Sequence, residues 1–236
     1  MPLIDNHSPY AYVCGVFPSL ELMKARPGAA RSLLLHPGAY GNEGVQKLIE
    51  IFKALGKRME EAPALLKRIS GKENAYAAVM FERYDDDLLD TPRHLVLHNL
   101  SDCGNLGSIL RSALGFGFYD VAIIKPSAEL FGSSTVRASM GAQFHLRVAQ
   151  FASMDEYREA FPGRVIAPLM LMAGAAPIRD AARDVKPPFS LVLGNEASGL
   201  PADFSRYGDP VVIPHSKEVD SLNVSVAAGI AMFLFS

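Results

Sequence analysis

From residue 92 onward, short apolar runs alternate with helical stretches, and this alternation limits the fold more than any other feature of the sequence. Runs at 94–99, 120–125, 164–171, 190–194 and 210–213 read as strands. Stretches at 106–116, 134–142 and 222–235 carry helical spacing. Strands separated by helical segments do not pair as hairpins; they lie parallel and need helices over the sheet. The expected class is therefore α/β with a mostly parallel sheet. In such sheets ligands bind beyond the carboxyl ends of the strands. The loops following Asn99, Gly194 and Ile213 are the places to look for chemistry.

The stretch before residue 85 reads as a smaller α/β domain. Residues 11–17, 32–36 and 75–81 suggest strands. Val45, Leu48, Ile49, Phe52 and Leu55 give 44–56 a helical apolar face. The acidic run FERYDDDLLDT at 81–91, followed by Pro92, reads as the linker. The expected division is a domain at 1–84, a linker at 85–92 and a second domain at 93–236, which on this reading should fold without the first. Residues 1–72 hold ten lysines and arginines against six acidic residues, an excess of four positive charges. Lys53, Lys57, Arg58, Lys67, Arg68 and Lys72 fall close together. Such a run suits a solvated helix face as readily as a phosphate-binding surface.

The whole chain has a net charge of −2, which demands no polyanionic partner. No apolar stretch approaches the ~18 residues of a membrane span, and the opening MPLIDNHSPY lacks the pattern of a secretory signal. Cys14 and Cys103 make no disulfide framework and no zinc spacing, so the sequence points to a reducing cytoplasm and to no metal.

Three loops carry the polar residues of interest. The first is Ser101-Asp-Cys-Gly-Asn-Leu-Gly-Ser-Ile-Leu-Arg111. Asn105 is expected at the helix N-cap, and its glycines would suit a phosphate at the helix start. Neither GxGxxG nor GxxxxGK[ST] is present, so dinucleotide and P-loop readings fail on spacing. In the second, an apolar strand runs straight into Gly194, Asn195 and Glu196. The third returns to a helix through Ser221-Leu222-Asn223, where Ser221 taken alone reads as an N-cap. Each loop in isolation also reads as an ordinary capped helix or turn.

Together the three loops resemble the three motifs of the SpoU family of RNA methyltransferases, within the SPOUT superfamily. Gly104-Asn105-x-Gly107-x-x-x-Arg111, Gly194-Asn195-Glu196-x-x-Gly199-Leu200 and Ile213-Pro214 followed by Ser221-Leu222-Asn223-Val224-Ser225-Val226-Ala227 match in order and spacing across 94–235. One departure stands in the third motif. His215 and Lys217 occupy the places where the family commonly has methionine and glycine; His215 is expected at the surface.

The resemblance implies a deep trefoil knot at the C-terminus, S-adenosylmethionine as cofactor, and a homodimer whose active site uses both subunits. It assigns Asn105, Arg111, Glu196, Ser221 and Asn223 to catalysis. It assigns Leu193, Gly194, Asn195, Ile213 and Leu222 to the cofactor. The implied reaction is methylation of a ribose 2′-hydroxyl in RNA. The first domain loosely resembles the ribosomal-protein-like RNA-binding domain that precedes the knot in some members, which points to ribosomal RNA. Two other readings stay open: a transfer-RNA 2′-O-methyltransferase of the same family, and a non-catalytic RNA-binding or assembly factor on the same scaffold.

Overall fold

A computed structural model describes residues 8–71 and 75–236, so Lys72 of the basic stretch lies outside the described residues. The chain forms two compact units, the first comprising Met1–Tyr84 with Glu129–His145, and the second Asp85–Ala128 with Leu146–Ser236.

The first unit runs β1 (Tyr10–Cys14), α1 (Val16–Ala25), β2 (Ala30–Leu35), α2 (Glu43–Ala54), β3 (Arg58–Glu61), α3 (Pro63–Ser70) and β4 (Ala77–Glu82). Its sheet has the order β1-β4-β2-β3. β4 is antiparallel to both neighbours, and β2 and β3 are parallel. Asn42 caps α2 by accepting from the amides of Gly44 and Val45, and Val45, Leu48, Ile49 and Phe52 are buried. On one sheet face Leu65, Leu66 and Ile69 of α3 pack with Tyr12, Leu34 and Ala78.

The basic residues have a local role. Lys24, Lys53, Lys67 and Arg68 all stand in the last turns of their helices, opposite the negative end of the helix dipole. The Lys57 ammonium donates to the Ala30 carbonyl, and Arg58 pairs with Glu60.

The division after Tyr84 leaves a discontinuous first unit. Glu129–His145, which the sequence placed in the second domain, belongs to the first. The reason is aromatic packing. Phe131 and Phe144 meet the buried Phe81 edge to face, with centroids 5.4 and 5.7 Å away. Arg83 pairs with Glu129 at 2.7 Å, and Arg26 donates to the Phe144 carbonyl. Within this segment lies α5 (Ser133–Ser139), which the sequence placed as a helix at 134–142 and which packs against β1.

The second unit contains β5 (Arg93–His98), α4 (Cys103–Phe116), β6 (Asp120–Ile124), β7 (Arg147–Phe151), α6 (Met154–Ala160), β8 (Val165–Pro168), β9 (Ala176–Pro177), α7 (Ile178–Asp184), β10 (Phe189–Leu193), β11 (Val211–Val212) and α8 (Val224–Leu234). The five-stranded sheet has the order β7-β6-β5-β10-β8, with every pairing parallel. β9 and β11 form a separate parallel pair. Central β5 and β10 are buried almost throughout, which is why they read as continuous apolar runs. α4 and α8 pack on each other.

Residues 85–92 are not a free tether, as the sequence suggested, but part of the second unit. They seal the amino ends of its strands. The buried Asp120 accepts from the Leu89 amide (3.0 Å), the Thr91 hydroxyl (2.7 Å) and Arg147 (2.6 Å, twice). Arg164 reaches Asp90 and the Thr91 carbonyl, both at 2.7 Å. Its Nε donates to Ser190 Oγ (3.1 Å), Ser190 to the Tyr157 hydroxyl (2.7 Å), and Tyr157 to His94 Nδ1 (2.8 Å). His94 Nε2 donates to the Leu89 carbonyl at 2.7 Å. Arginine can only donate and a carbonyl can only accept, so the direction of this chain is fixed.

A chain cut to residues 92–236 leaves Phe131 and Phe144 without Phe81. It is expected to bind hydrophobic dye and to melt over a broader range than the full chain. A sharp transition at the full chain's melting temperature would show that the segment does not need the first sheet.

The second prediction concerns His94. Burial lowers its pKa, against the hydrogen bond to Leu89, and the fully enclosed ring stays neutral. The unfolded chain takes up this proton below about pH 6.5 while the folded chain resists it, so stability falls as pH drops through that value. His98, also lowered by burial, adds to the same slope. His94→Gln should flatten the dependence of melting temperature on pH between 7.5 and 5.5 (roughly the histidine range). An unchanged slope would remove His94 from the account.

Candidate active site

The carboxyl ends of the adjacent strands β5 and β10 open into two of the three motif loops. After β10, Gly194 sits where a Cβ would lie 2.2 Å from the Gly199 carbonyl carbon, so no side chain fits. That close approach lets Asn195 and Gly199 exchange both backbone hydrogen bonds, at 3.1 and 3.0 Å. Asn195 Oδ1 accepts from the amides of Ala197 and Ser198, and its Nδ2 donates to the Asn99 carbonyl at 2.8 Å. Asn99 itself holds a left-handed conformation, φ +54°.

Glu196 then points across to the first loop. Its carboxylate accepts from the Ser101 amide (3.1 Å), the Ser101 hydroxyl (3.0 Å), the Asp102 amide (3.0 Å) and Asn105 Nδ2 (3.4 Å). Asn195 Nδ2 contributes a fifth contact at 3.2 Å. Partial burial works to raise the Glu196 pKa, but hydrogen bonds from its own amide, those of Ser101 and Asp102, and the Ser101 hydroxyl outweigh it and hold the carboxyl below its ordinary value.

Two cap assignments differ from the sequence reading. Asp102, not Asn105, caps α4: its backbone is extended, and Oδ1 accepts from the Asn105 amide at 2.7 Å. Asn105 lies one turn inside, which frees its side chain to bridge. Asn223, not Ser221, caps α8, with Oδ1 accepting from the amides of Ser225 (2.9 Å) and Val226 (3.3 Å). Asn223 Nδ2 donates to Asn105 Oδ1 at 3.1 Å, and Asn105 in turn donates to Glu196. Hydrogen bonds thus run through all three loops. The expected phosphate position at the start of α4 is occupied by the protein's own carboxylates.

A cavity of about 440 Å³ lies beside these loops. Leu193, Gly194, Asn195, Ile213 and Leu222, the five residues expected at the cofactor, all line it, as do Glu196 and Ser221. Asn105, Arg111 and Asn223 do not. Arg111 is exposed on α4, and among the described residues its guanidinium has no hydrogen-bond or ion-pair partner. The opposite face of α4, with Leu106, Ile109, Leu110 and Ala113, is buried.

Sequence reasoning missed several contributors. Met170, Leu171 and Met172, beyond the end of β8, form an apolar wall; the signal was an apolar run longer than the strand it follows. Ser101 and Asp102 supply the donors to Glu196. His215, expected at the surface, is half-buried and lines the cavity. Its Nδ1 donates to the Ile213 carbonyl at 2.8 Å, which draws the ring inward. Among the described residues, no lysine or arginine lines the cavity. Its volume falls within the range of small-molecule sites, its walls are largely apolar, and its charge disfavours a phosphate-bearing ligand. These features fit a small, partly apolar ligand that carries no phosphate.

Glu196→Gln removes the charge and replaces an acceptor oxygen with a donor facing donors. A loss of about 1–3 kcal/mol is expected, with faster amide exchange at Ser101 and Asp102. Unchanged unfolding and exchange would mean that the carboxylate does not hold the loop.

The sequence profile of the SpoU rRNA Methylase family matches residues 92–233. A putative TrmH family tRNA/rRNA methyltransferase of Bacillus subtilis is 30% identical over 203 residues, covering 80% of each chain. Ribosomal RNA small subunit methyltransferase G 2 of Syntrophobacter fumaroxidans is 35% identical over 142 residues, which span 60% of this chain but 26% of that protein. An AdoMet-bound rRNA methyltransferase from Sinorhizobium meliloti shares the fold, with a TM-score of 0.81 at 24% identity, covering 96% of this chain and 87% of that one.

Proposed function

We propose that this chain, which belongs to the SpoU rRNA methylase family, uses S-adenosylmethionine to methylate a ribose 2′-hydroxyl of RNA. The observation that carries this reading is the junction of the three motif loops, through Asn223, Asn105 and Glu196, beside a cavity lined by Leu193, Gly194, Asn195, Ile213 and Leu222. S-adenosylmethionine brings a methyl group already made electrophilic by its sulfonium. The work left to the protein is to hold, orient and stabilise charge.

The apolar walls and main-chain groups at Gly194, Ile213 and Leu222 bind and shield the cofactor. Glu196 and Asn105 keep the first loop in place, and Ser221 and Asn223 secure the third. Arg111 is permanently charged and has no lone pair with which to act as a base. Its free guanidinium grips an RNA phosphate in two-point fashion and stabilises negative charge as the hydroxyl ionises. The proton passes to phosphate or water.

Ribosomal RNA is the favoured substrate over transfer RNA, a preference that rests on the loose sequence resemblance of the first domain to ribosomal-protein-like RNA-binding domains. The last segments form the trefoil knot, and the active protein is a homodimer. Val226 and Phe233, 52% and 64% exposed, stand two turns apart on one face of α8, where a second copy would cover them. No described helix is long and apolar enough to cross a membrane. The two free cysteines suit the cytoplasm.

Full-length protein supplied with methyl-labelled S-adenosylmethionine should label ribosomal RNA in preference to transfer RNA, at a nucleotide that maps as 2′-O-methylated. Arg111→Ala should lose nearly all transfer while calorimetry shows the cofactor bound as before. Residual activity above roughly a tenth, a barrier change under about 1.4 kcal/mol, would remove Arg111 from the mechanism. Label on a base rather than a ribose would overturn the reaction assigned.

A further inference from the structure

The cavity is unevenly charged. Among the described residues its lining side chains include two carboxylates, Glu196 and Asp220, and no lysine or arginine. Glu196 is committed to Ser101, Asp102 and their neighbours. Asp220 is exposed, immediately precedes Ser221 and Leu222, and among the described residues has no hydrogen-bond or ion-pair partner. An unpaired acid at a largely apolar cavity with no basic side chain in its lining sets a negative local potential, which favours a cationic ligand over a neutral one of the same shape.

We propose that Asp220 is a specificity-determining residue that makes the cavity prefer S-adenosylmethionine to S-adenosylhomocysteine. The inference rests on the function proposed above and deepens it. In the transfer, the sulfur–methyl bond breaks with its electron pair staying on sulfur, and a carbon–oxygen bond forms to the ribose. The hydroxyl proton leaves to phosphate or water. The sulfur therefore begins as a cation and ends as a neutral thioether. The adenosine and amino-acid parts are identical in the two forms, so apolar walls and main-chain groups hold both alike. A carboxylate facing the cavity tells them apart by charge alone: it strengthens binding of the donor and does nothing to retain the product. Because Asp220 faces water, the attraction is modest and screened by salt.

The test is calorimetric titration of the full-length protein with S-adenosylmethionine and with S-adenosylhomocysteine, at low and high salt. Asp220→Asn should weaken binding of the first by roughly three- to tenfold, the effect of one charge facing water. It should leave the second nearly unchanged and remove most of the salt dependence. Asp220→Glu should keep the preference, which a merely structural role for the loop would not require. Equal weakening of both ligands, or no change in either, would overturn the inference while leaving the methyltransferase reading intact. Wild-type protein that bound neither nucleoside would overturn that reading, and this inference with it.

Discussion

The carboxylate of Glu196 joins two loops far apart in the chain, 95 residues at its contact with Ser101, and most of the site geometry depends on what it accepts. Ser101 and Asp102 offer backbone amides that no helix or strand uses, and Glu196 takes both. Hydrogen bonds to a charged acceptor contribute about 1.5–3 kcal/mol each, more than neutral ones. The polarity then propagates. An ionised carboxylate cannot donate, so Asn105 must turn its amide nitrogen towards it and its oxygen towards Asn223. Asn223 can supply that donor because its own oxygen is already used to cap α8. One charge therefore fixes the orientation of two amides and ties the start of α8 to the start of α4.

The two ends of the second sheet divide the labour. At the amino ends, Asp120, Arg164, Ser190, Tyr157 and His94 satisfy one another and the 85–92 segment. Such a closed polar network is rigid because any break leaves a buried group unpaired. At the carboxyl ends, Gly194, Asn99 and Gly199 let the backbone turn sharply, and polar groups face a cavity. The sealed end positions strands whose open end can then be specific.

What the sequence revealed follows the same physics. Central β5 and β10 were legible because burial on both faces leaves an uninterrupted apolar run. Edge strands β3, RMEE, and β7, RVAQF, face solvent enough to lose that signal, and α1, α3, α6 and α7 were missed as well. The motif residues were legible because their chemistry and spacing are local. The caps were not: Asp102 and Asn105, or Ser221 and Asn223, are equally able to cap, and only backbone dihedrals choose. Nor could an apolar pattern say that Phe131 and Phe144 belong with Phe81, since hydrophobicity marks a residue as buried without naming the sheet it is buried against.

The start of α4 also bears on how RNA is held. A helix N-terminus is normally a ready anion site. Here Asp102 takes the Asn105 amide and Glu196 takes the amides of Ser101 and Asp102, so two protein carboxylates already occupy that end. Their charge suits the helix dipole and repels a phosphate. In the proposed mechanism an RNA backbone approaching this surface is gripped by a side chain instead. Arg111, exposed two turns further along the same helix and without a partner among the described residues, is placed on the helix that Glu196 and Asp102 anchor. The carboxylates that disfavour phosphate at the helix start are the same groups that hold steady the helix carrying Arg111.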